Sequence, residues 1–281
     1  MPPTWFERAL AQQPEHRDVV VAGARVAYRS WGPVGAPGVV LVHGGAAHSG
    51  WWDHLAPLLT GYRVVAPDLT GHGDSDRREA YDLLLWAREV VAVAAAEGLQ
   101  RPLVVGHSMG GWVATAVGGH HPGEVSGVVL IDSRLVEQPA DEEQLRQRRR
   151  PHRVYPSRDD AIGRFRTLPP RDVVLPYVAD HVARGSLRAV EGGWTWAFDP
   201  EFFGSRLRLR DLLPDVAVPI TLLRCEHGLV SAEMAADMAG LVPGRLPVVE
   251  LPDSGHHPML DQPLALVAVL RTLLAVGRLA R

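Results

Sequence analysis

The sequence has no lysine: its 29 basic residues are all arginine, set against 32 acidic residues for a formal charge of -3 at neutral pH. So balanced a chain has no surplus of positive charge with which to neutralise phosphate backbones, and nucleic acid is not expected as a partner. Cys225 is the only cysteine, so no intrachain disulfide and no cysteine-based zinc site can form. It closes an apolar run and is read as a core residue. No apolar run approaches the roughly 20 residues that a membrane helix needs. The opening Met1-Pro-Pro-Thr-Trp-Phe-Glu-Arg has neither the basic patch nor the continuous apolar stretch of a secretory leader. A cytoplasmic protein with no membrane partner is the expectation. The glycine-rich segment Asp68-Leu-Thr-Gly71-His72-Gly73-Asp74-Ser75 lacks Gly-Lys-Ser/Thr and G-x-G-x-x-G, which argues against a phosphate cradle. Internal repeats and low-complexity segments are missing too, and no cofactor or metal is expected.

What is present is a chain of 281 residues, 46% hydrophobic and 22% charged, long enough for one large domain with an insertion. Residues 18–22 and 25–29 flank Gly23-Ala24 and read as an opening hairpin. Apolar strand-like runs at 38–43, 62–66, 102–107 and 126–131 then alternate with helical stretches near 51–59, 79–97 and 109–119. The alternation resumes with strands at 218–224 and 246–251 and helices near 231–240 and 263–278. This pattern predicts an α/β fold, a mostly parallel, doubly wound sheet with helices on both faces. Between Ser133 and Asp211 the alternation fails. That stretch carries the basic run Arg146-Gln-Arg-Arg-Arg150, read as a solvated face, and the aromatics Trp194, Trp196, Phe198, Phe202 and Phe203.

Gly106-His107-Ser108-Met109-Gly110-Gly111 follows the apolar run 101–105 and precedes an Ala/Val/Gly stretch, so a serine sits between glycines at a strand-to-helix junction. The turn this requires is sharp enough to demand residues without side chains at Gly106 and Gly110, and it presents the Ser108 hydroxyl outward as a nucleophile. A serine hydroxyl is a weak nucleophile at neutral pH and needs an adjacent base and donors for the oxyanion. The candidate base is in Ser254-Gly-His256-His257, with His256 favoured over His257. The strand 38–43 runs into His43-Gly44-Gly45.

A His-Gly loop, a serine elbow and a late histidine, in that order, resemble the α/β-hydrolase family from about Asp18 to Leu279. The resemblance implies an α/β-hydrolase core of residues 1–132 and 211–281 with an inserted helical cap at 133–210 over the active site. It implies an oxyanion hole from the backbone N–H groups of Gly45 and Met109, with His43 bracing the loop, His107 packed beneath the elbow or hydrogen-bonded locally, and His72 and Asp74 in a structural turn. His256 stands seven residues before Pro263, the spacing of the family's late Gly-His…Pro element. Trp51, Trp52, Trp194 and Trp196 are candidate pocket residues, although one of Trp51 and Trp52 is expected to pack in the core and the cap aromatics could equally fill the cap's own core.

The acid departs from the family's commonest pattern, because counting through Glu226-His227-Gly228 puts glycine where the usual aspartate stands. A second family location, after the strand that follows the nucleophile helix, is occupied by Asp132. Asp132 is the first candidate and Glu226 the second. A serine nucleophile separates the chain from the haloalkane dehalogenases and epoxide hydrolases of this fold, which use aspartate. The expected function is that of a serine hydrolase acting on a small-molecule carboxylic ester or lactone through an acyl-enzyme. The alternatives are a ligand-binding protein of the same fold and a cofactor-independent lyase or cyclase. Substrate identity and oligomeric state are not legible.

Overall fold

The computed structural model describes residues 1–135, 142–170, 174–204 and 209–279. A short helix α1 (Thr4–Leu10) leads into the hairpin of β1 (Glu15–Val21) and β2 (Ala24–Trp31), which turns through Ala22 and Gly23, both at positive φ. The alternating core follows: β3 (Gly38–Val42), β4 (Arg63–Pro67), α2 (Leu83–Ala96), β5 (Leu103–His107), α3 (Met109–His120) and β6 (Gly127–Ile131). After an intervening segment it resumes with β9 (Ile220–His227), α8 (Ala232–Leu241), β10 (Val248–Gly255), α9 (Pro258–Asp261) and α10 (Pro263–Leu279). The eight strands form one sheet in the order β1-β2-β4-β3-β5-β6-β9-β10. β2 pairs antiparallel with β1 and β4, and the other neighbours pair parallel.

The central strands are buried on both faces, as a sheet covered by helices on each side requires. Alternate residues feed two cores. Val40, Val42, Val104 and Leu130 pack with Trp86 of α2 and Val113 of α3, while Val39, Leu41, Val105 and Ile131 pack with Trp52 and with Leu266 and Leu270 of α10. Cys225 lies in the second core. Among the described residues no helix is long and apolar enough to cross a membrane.

Local chemistry shifted some expected boundaries. The helix expected near 51–59 is instead two 3-10 turns, Ser49–Trp52 and Ala56–Leu58, the second with a proline in its first turn where a longer helix would need a backbone donor. Helix α2 starts at Leu83 because the Asp82 side chain accepts hydrogen bonds from the N–H groups of Leu84 and Leu85 and caps it there.

Between β6 and β9 lie α4 (Glu142–Arg148), α5 (Arg158–Ile162), α6 (Pro176–Gly185), α7 (Leu209–Leu212) and an antiparallel hairpin of β7 (Leu187–Val190) and β8 (Gly193–Trp196). The segment is therefore not purely helical. It is tied to the core at two places. α6 places His181 3.0 Å from Asp53, and His48 lies 3.1 Å from Ser186 just beyond the helix. The chain leaving β8 bonds to the turn at 71–73, through Gly73 N–H to Ala197 O at 2.7 Å and Asp199 N–H to Gly71 O at 2.7 Å. His72 is buried in that turn, and the backbone N–H of Asp74 is held by Asp68. Arg146, Arg148 and Arg150 are exposed, and Arg146 pairs with Glu143 on the same face of α4.

Candidate active site

Ser108 sits between β5 and α3 with φ 53° and ψ -117°, a conformation that L-residues rarely adopt. The neighbouring glycines make it possible. A Cβ at Gly106 would lie 2.0 Å from the Gly110 carbonyl oxygen, and one at Gly110 would lie 2.4 Å from that of Val42. The Ser108 N–H continues the sheet ladder by donating to Ile131 O at 2.9 Å. Its side chain therefore projects beyond the carboxyl edge of the sheet, half-buried and beside the next strand's end.

His256 meets it there. Its Nε2 lies 3.1 Å from Ser108 Oγ and its Nδ1 lies 2.7 Å from Asp132 Oδ2. With Nδ1–H donating to the carboxylate, Nε2 is left to accept the serine hydroxyl proton. Asp132 follows β6 directly, at φ 46°, and is fully buried. Its other hydrogen bonds come from the backbone N–H groups of Leu229 at 2.7 Å and Val230 at 3.2 Å, in the loop after β9. Burial pushes the Asp132 carboxyl up, but the hydrogen bond from His256, the N–H donors and the attraction of the imidazolium outweigh it and hold the group below the usual carboxylate range. Glu226 stands elsewhere: it is exposed and accepts the Asp253 N–H at 2.7 Å. The His257 ring packs edge-on against His256, with centroids 4.6 Å apart, and tilted against Trp51 at 5.6 Å.

Two further histidines support the loops. His107 Nε2–H donates to the carbonyl oxygen of His256 at 2.7 Å, and burial followed by repulsion from His256 pushes its pKa down to about 3. A Cβ at Gly44 would lie 2.9 Å from His107 Nδ1, so Gly44 is what lets this ring fit under the loop. His43 Nδ1–H donates to Gly44 O at 2.7 Å while its Nε2 accepts the Leu69 N–H at 3.1 Å. Both nitrogens are engaged structurally. Gly45 is exposed, with Met109 Sδ 3.7 Å and the Phe202 ring 3.1 Å from where its Cβ would be. Met109 opens α3, where geometry gives its N–H no intrahelical acceptor.

A sequence model described as "Alpha/beta hydrolase family" matches residues 39–269. The chain belongs to the alpha/beta hydrolase family. Over 266 residues the hydrolase is 31% identical to the esterase Rv0045c of Mycobacterium tuberculosis, covering 91% of this chain and 88% of the relative. It is 39% identical over 126 residues to a monoacylglycerol lipase of Mycolicibacterium smegmatis, which covers 41% of this chain and 45% of the lipase. Among solved structures it resembles the thioesterase domain from the curacin biosynthetic pathway, with a TM-score of 0.76 and 25% identity over 92% of this chain and 99% of that one. Its named relatives support ester hydrolysis at the level of the family.

The aromatic pocket candidates of the hydrolase separate on burial. Trp52 is fully enclosed in the second core, which makes it the member of the Trp51–Trp52 pair that packs in the core. Trp51 is nearly buried, with its ring 6.3 Å from that of Phe165. Trp196 is half-buried beside Phe165 and Tyr155, while Trp194 packs under Arg158 at 5.2 Å. The Phe203 side chain lies outside the described residues. Sequence reasoning missed the two N–H donors on Asp132, since Leu229 and Val230 carry no polar side chain to mark them. A hydrogen bond from His107 was among the expectations, but its partner, the His256 carbonyl 149 positions away, was not. The only signal for that bond was a polar ring placed inside an apolar elbow.

Proposed function

We propose that the hydrolase cleaves a small or medium carboxylic ester or lactone through an acyl-enzyme on Ser108. The observation that carries this reading is the unbroken hydrogen-bonded line from Ser108 Oγ through both nitrogens of His256 to Asp132. His256 takes the hydroxyl proton as Oγ attacks the acyl carbon, then gives it to the leaving alkoxide. Asp132 fixes the imidazole tautomer and stabilises the imidazolium without itself taking the proton. The tetrahedral oxyanion is received by the N–H groups of Gly45 and Met109, each such donor contributing on the order of 3 kcal/mol to the transition state. Water then repeats the sequence on the acyl-enzyme, and Ser108 is regenerated.

Residues 133–210 act as the cap in this reading. The contacts of α6 and of the chain after β8 with the core support it. So does Phe202, which brings an apolar ring over Gly45 and trims water from the oxyanion side. In this reading the binding partner is a small molecule, and the site of action is the cytoplasm. A fluorophosphonate probe is expected to label the wild type at Ser108 and to leave Ser108→Ala unlabelled, with ester hydrolysis lost in parallel. Equal labelling of both would overturn the assignment. Labelling without turnover across an ester panel, together with ligand-induced thermal stabilisation, would point instead to a binding protein.

A further inference from the structure

The proton that His256 returns goes to the oxygen of the departing alcohol, so that oxygen stands at the imidazole and the group it carries leads on past it. A cavity of about 340 Å³ borders the same residue. The core lines it with His256 and His257, the segment between β6 and β9 lines it with Pro169, Pro170 and Val174, and Asp261 adds a carboxylate. His257 is half-buried there. Hydrogen bonds hold the rings of His43, His107 and His256, but among the described residues none holds the ring of His257. Its ring contacts are with other flat rings, His256, His107 and Trp51, at centroid distances of 4.6, 5.3 and 5.6 Å. Burial, then repulsion from His107 and His256, push its pKa well below the ordinary value, so it borders the cavity as an uncharged aromatic ring. A space bounded by such a ring, two rigid prolines and a valine favours a planar apolar group. Its volume is about twice the roughly 150 Å³ that accommodates benzene inside a protein, enough for a ring with a small substituent.

We propose that this cavity receives the alcohol part of the ester, that it selects aromatic alcohols such as benzyl alcohol, and that His257 sets this preference. The alcohol's ring packs offset or edge-on against the His257 imidazole, the arrangements that aromatic pairs favour. Pro169, Pro170 and Val174 supply the apolar remainder of the wall, and the Asp261 carboxylate disfavours an anionic substituent on the ring. The direction in which the ester lies rests on the hydrolytic reading above, whereas the affinity of the cavity for an aromatic ring does not.

Hydrolysis of benzyl acetate against cyclohexylmethyl acetate, which share a carbon skeleton and differ in the aromatic ring, tests the assignment. The wild type is expected to favour the benzyl ester about three- to tenfold in kcat/KM, the range that an aromatic pair contributes beyond its buried area. His257→Ala is expected to bring that ratio to within about twofold of one, and His257→Phe, which keeps a flat ring, to restore it. A His257→Ala variant that slows both esters equally and keeps the ratio would overturn the role of His257 and reduce it to a support for His256. Thr167→Trp, on the cavity wall, is expected to lower the ratio of benzyl to ethyl acetate hydrolysis at least tenfold, and an unchanged ratio would overturn the place of the alcohol in the cavity. A preference for methyl phenylacetate over methyl cyclohexylacetate, with none between the two acetates, would overturn it too by putting the ring on the acyl side. If the wild type hydrolyses no ester and takes no fluorophosphonate, the hydrolytic reading fails, and saturation-transfer NMR of benzyl alcohol against cyclohexylmethanol decides the aromatic site by itself. Tighter binding of benzyl alcohol that is lost in His257→Ala supports the site, and equal binding of the two alcohols overturns it.

Discussion

The Asp132 carboxylate fills the space that a side chain on residue 228 would need: a Cβ at Gly228 would lie 2.4 Å from each of its two oxygens. The two positions come from the ends of neighbouring strands, β6 and β9, and only one of them can supply a side chain to this volume. Glycine at 228 is therefore the counterpart of aspartate at 132. The loop after β9 contributes backbone donors in place of an acid. Asp132→Asn is expected to lower kcat about 10³–10⁴-fold with KM little changed, because the wrong imidazole tautomer is then favoured. Gly228→Ala, which leaves the acid in place but crowds it, is expected to lower kcat at least tenfold. The double variant Asp132→Gly/Gly228→Asp is expected to recover part of the loss seen in Asp132→Asn. Steady-state kinetics on a chromogenic ester check all three.

His107 acts on the imidazole from behind. Removing it leaves the His256 carbonyl buried without its donor, a loss of about 1–3 kcal/mol in stability. His107→Ala is expected to lower kcat while sparing KM, since the His256 backbone is no longer fixed. Paired measurements of urea unfolding and turnover separate the two effects. A loss of stability with full kcat would limit His107 to packing.

Stability away from the site depends on one buried cation. Arg63 is fully enclosed and donates to Glu97 Oε2 from Nε at 2.9 Å and from Nη2 at 2.7 Å, with Glu15, Ser30 and the Gly32 carbonyl as its other partners. Arg63→Met strips Glu97 of its main counter-charge and is expected to cost about 3–5 kcal/mol of unfolding free energy. Adding Glu97→Leu to that variant is expected to return part of the loss, because an apolar pair leaves no uncompensated charge. Urea denaturation of the two single variants and the double variant measures this coupling.

Acid is expected to weaken the fold as its buried histidines come into their ordinary range. Burial pushes His48 and His54 down to about 4 and His107 to about 3, and it lowers His43 as well. In the unfolded chain these rings regain an ordinary value of about 6.5, so below that pH the unfolded state binds more protons than the folded one. The stability contributed by keeping them neutral is complete above about pH 6.5 and is lost as pH falls toward their folded values, by about 1.4 kcal/mol per pH unit for each ring. Tm is expected to be flat from about pH 7 to 8 and to fall steeply from about 6.5 to 4. A Tm that does not change across that lower window would contradict the buried neutral state of these histidines.

The parallel core was legible because its signals are local. Buried strands read as continuous apolar runs, and the elbow is marked by glycines that sterics demand within a few residues of Ser108. The segment between β6 and β9 was not legible as structure. The four-residue strands β7 and β8 and the short helices of this region are too brief to show a period of their own. Its aromatics are placed by the surfaces they meet, as Trp194 is by Arg158 and Tyr155.

The sequence by itself determined the sheet, the order of its strands' functional ends, and a serine that cannot be presented in any other way. Tertiary structure alone decided that Asp132 stands against His256 while Glu226 does not, that His256 and not His257 faces Ser108, and that Trp52 is core. These choices join residues 124 and 148 positions apart across the ends of parallel strands. A difference of a few ångströms in where a loop leaves its strand settles them, and no pattern of neighbouring residues encodes that distance.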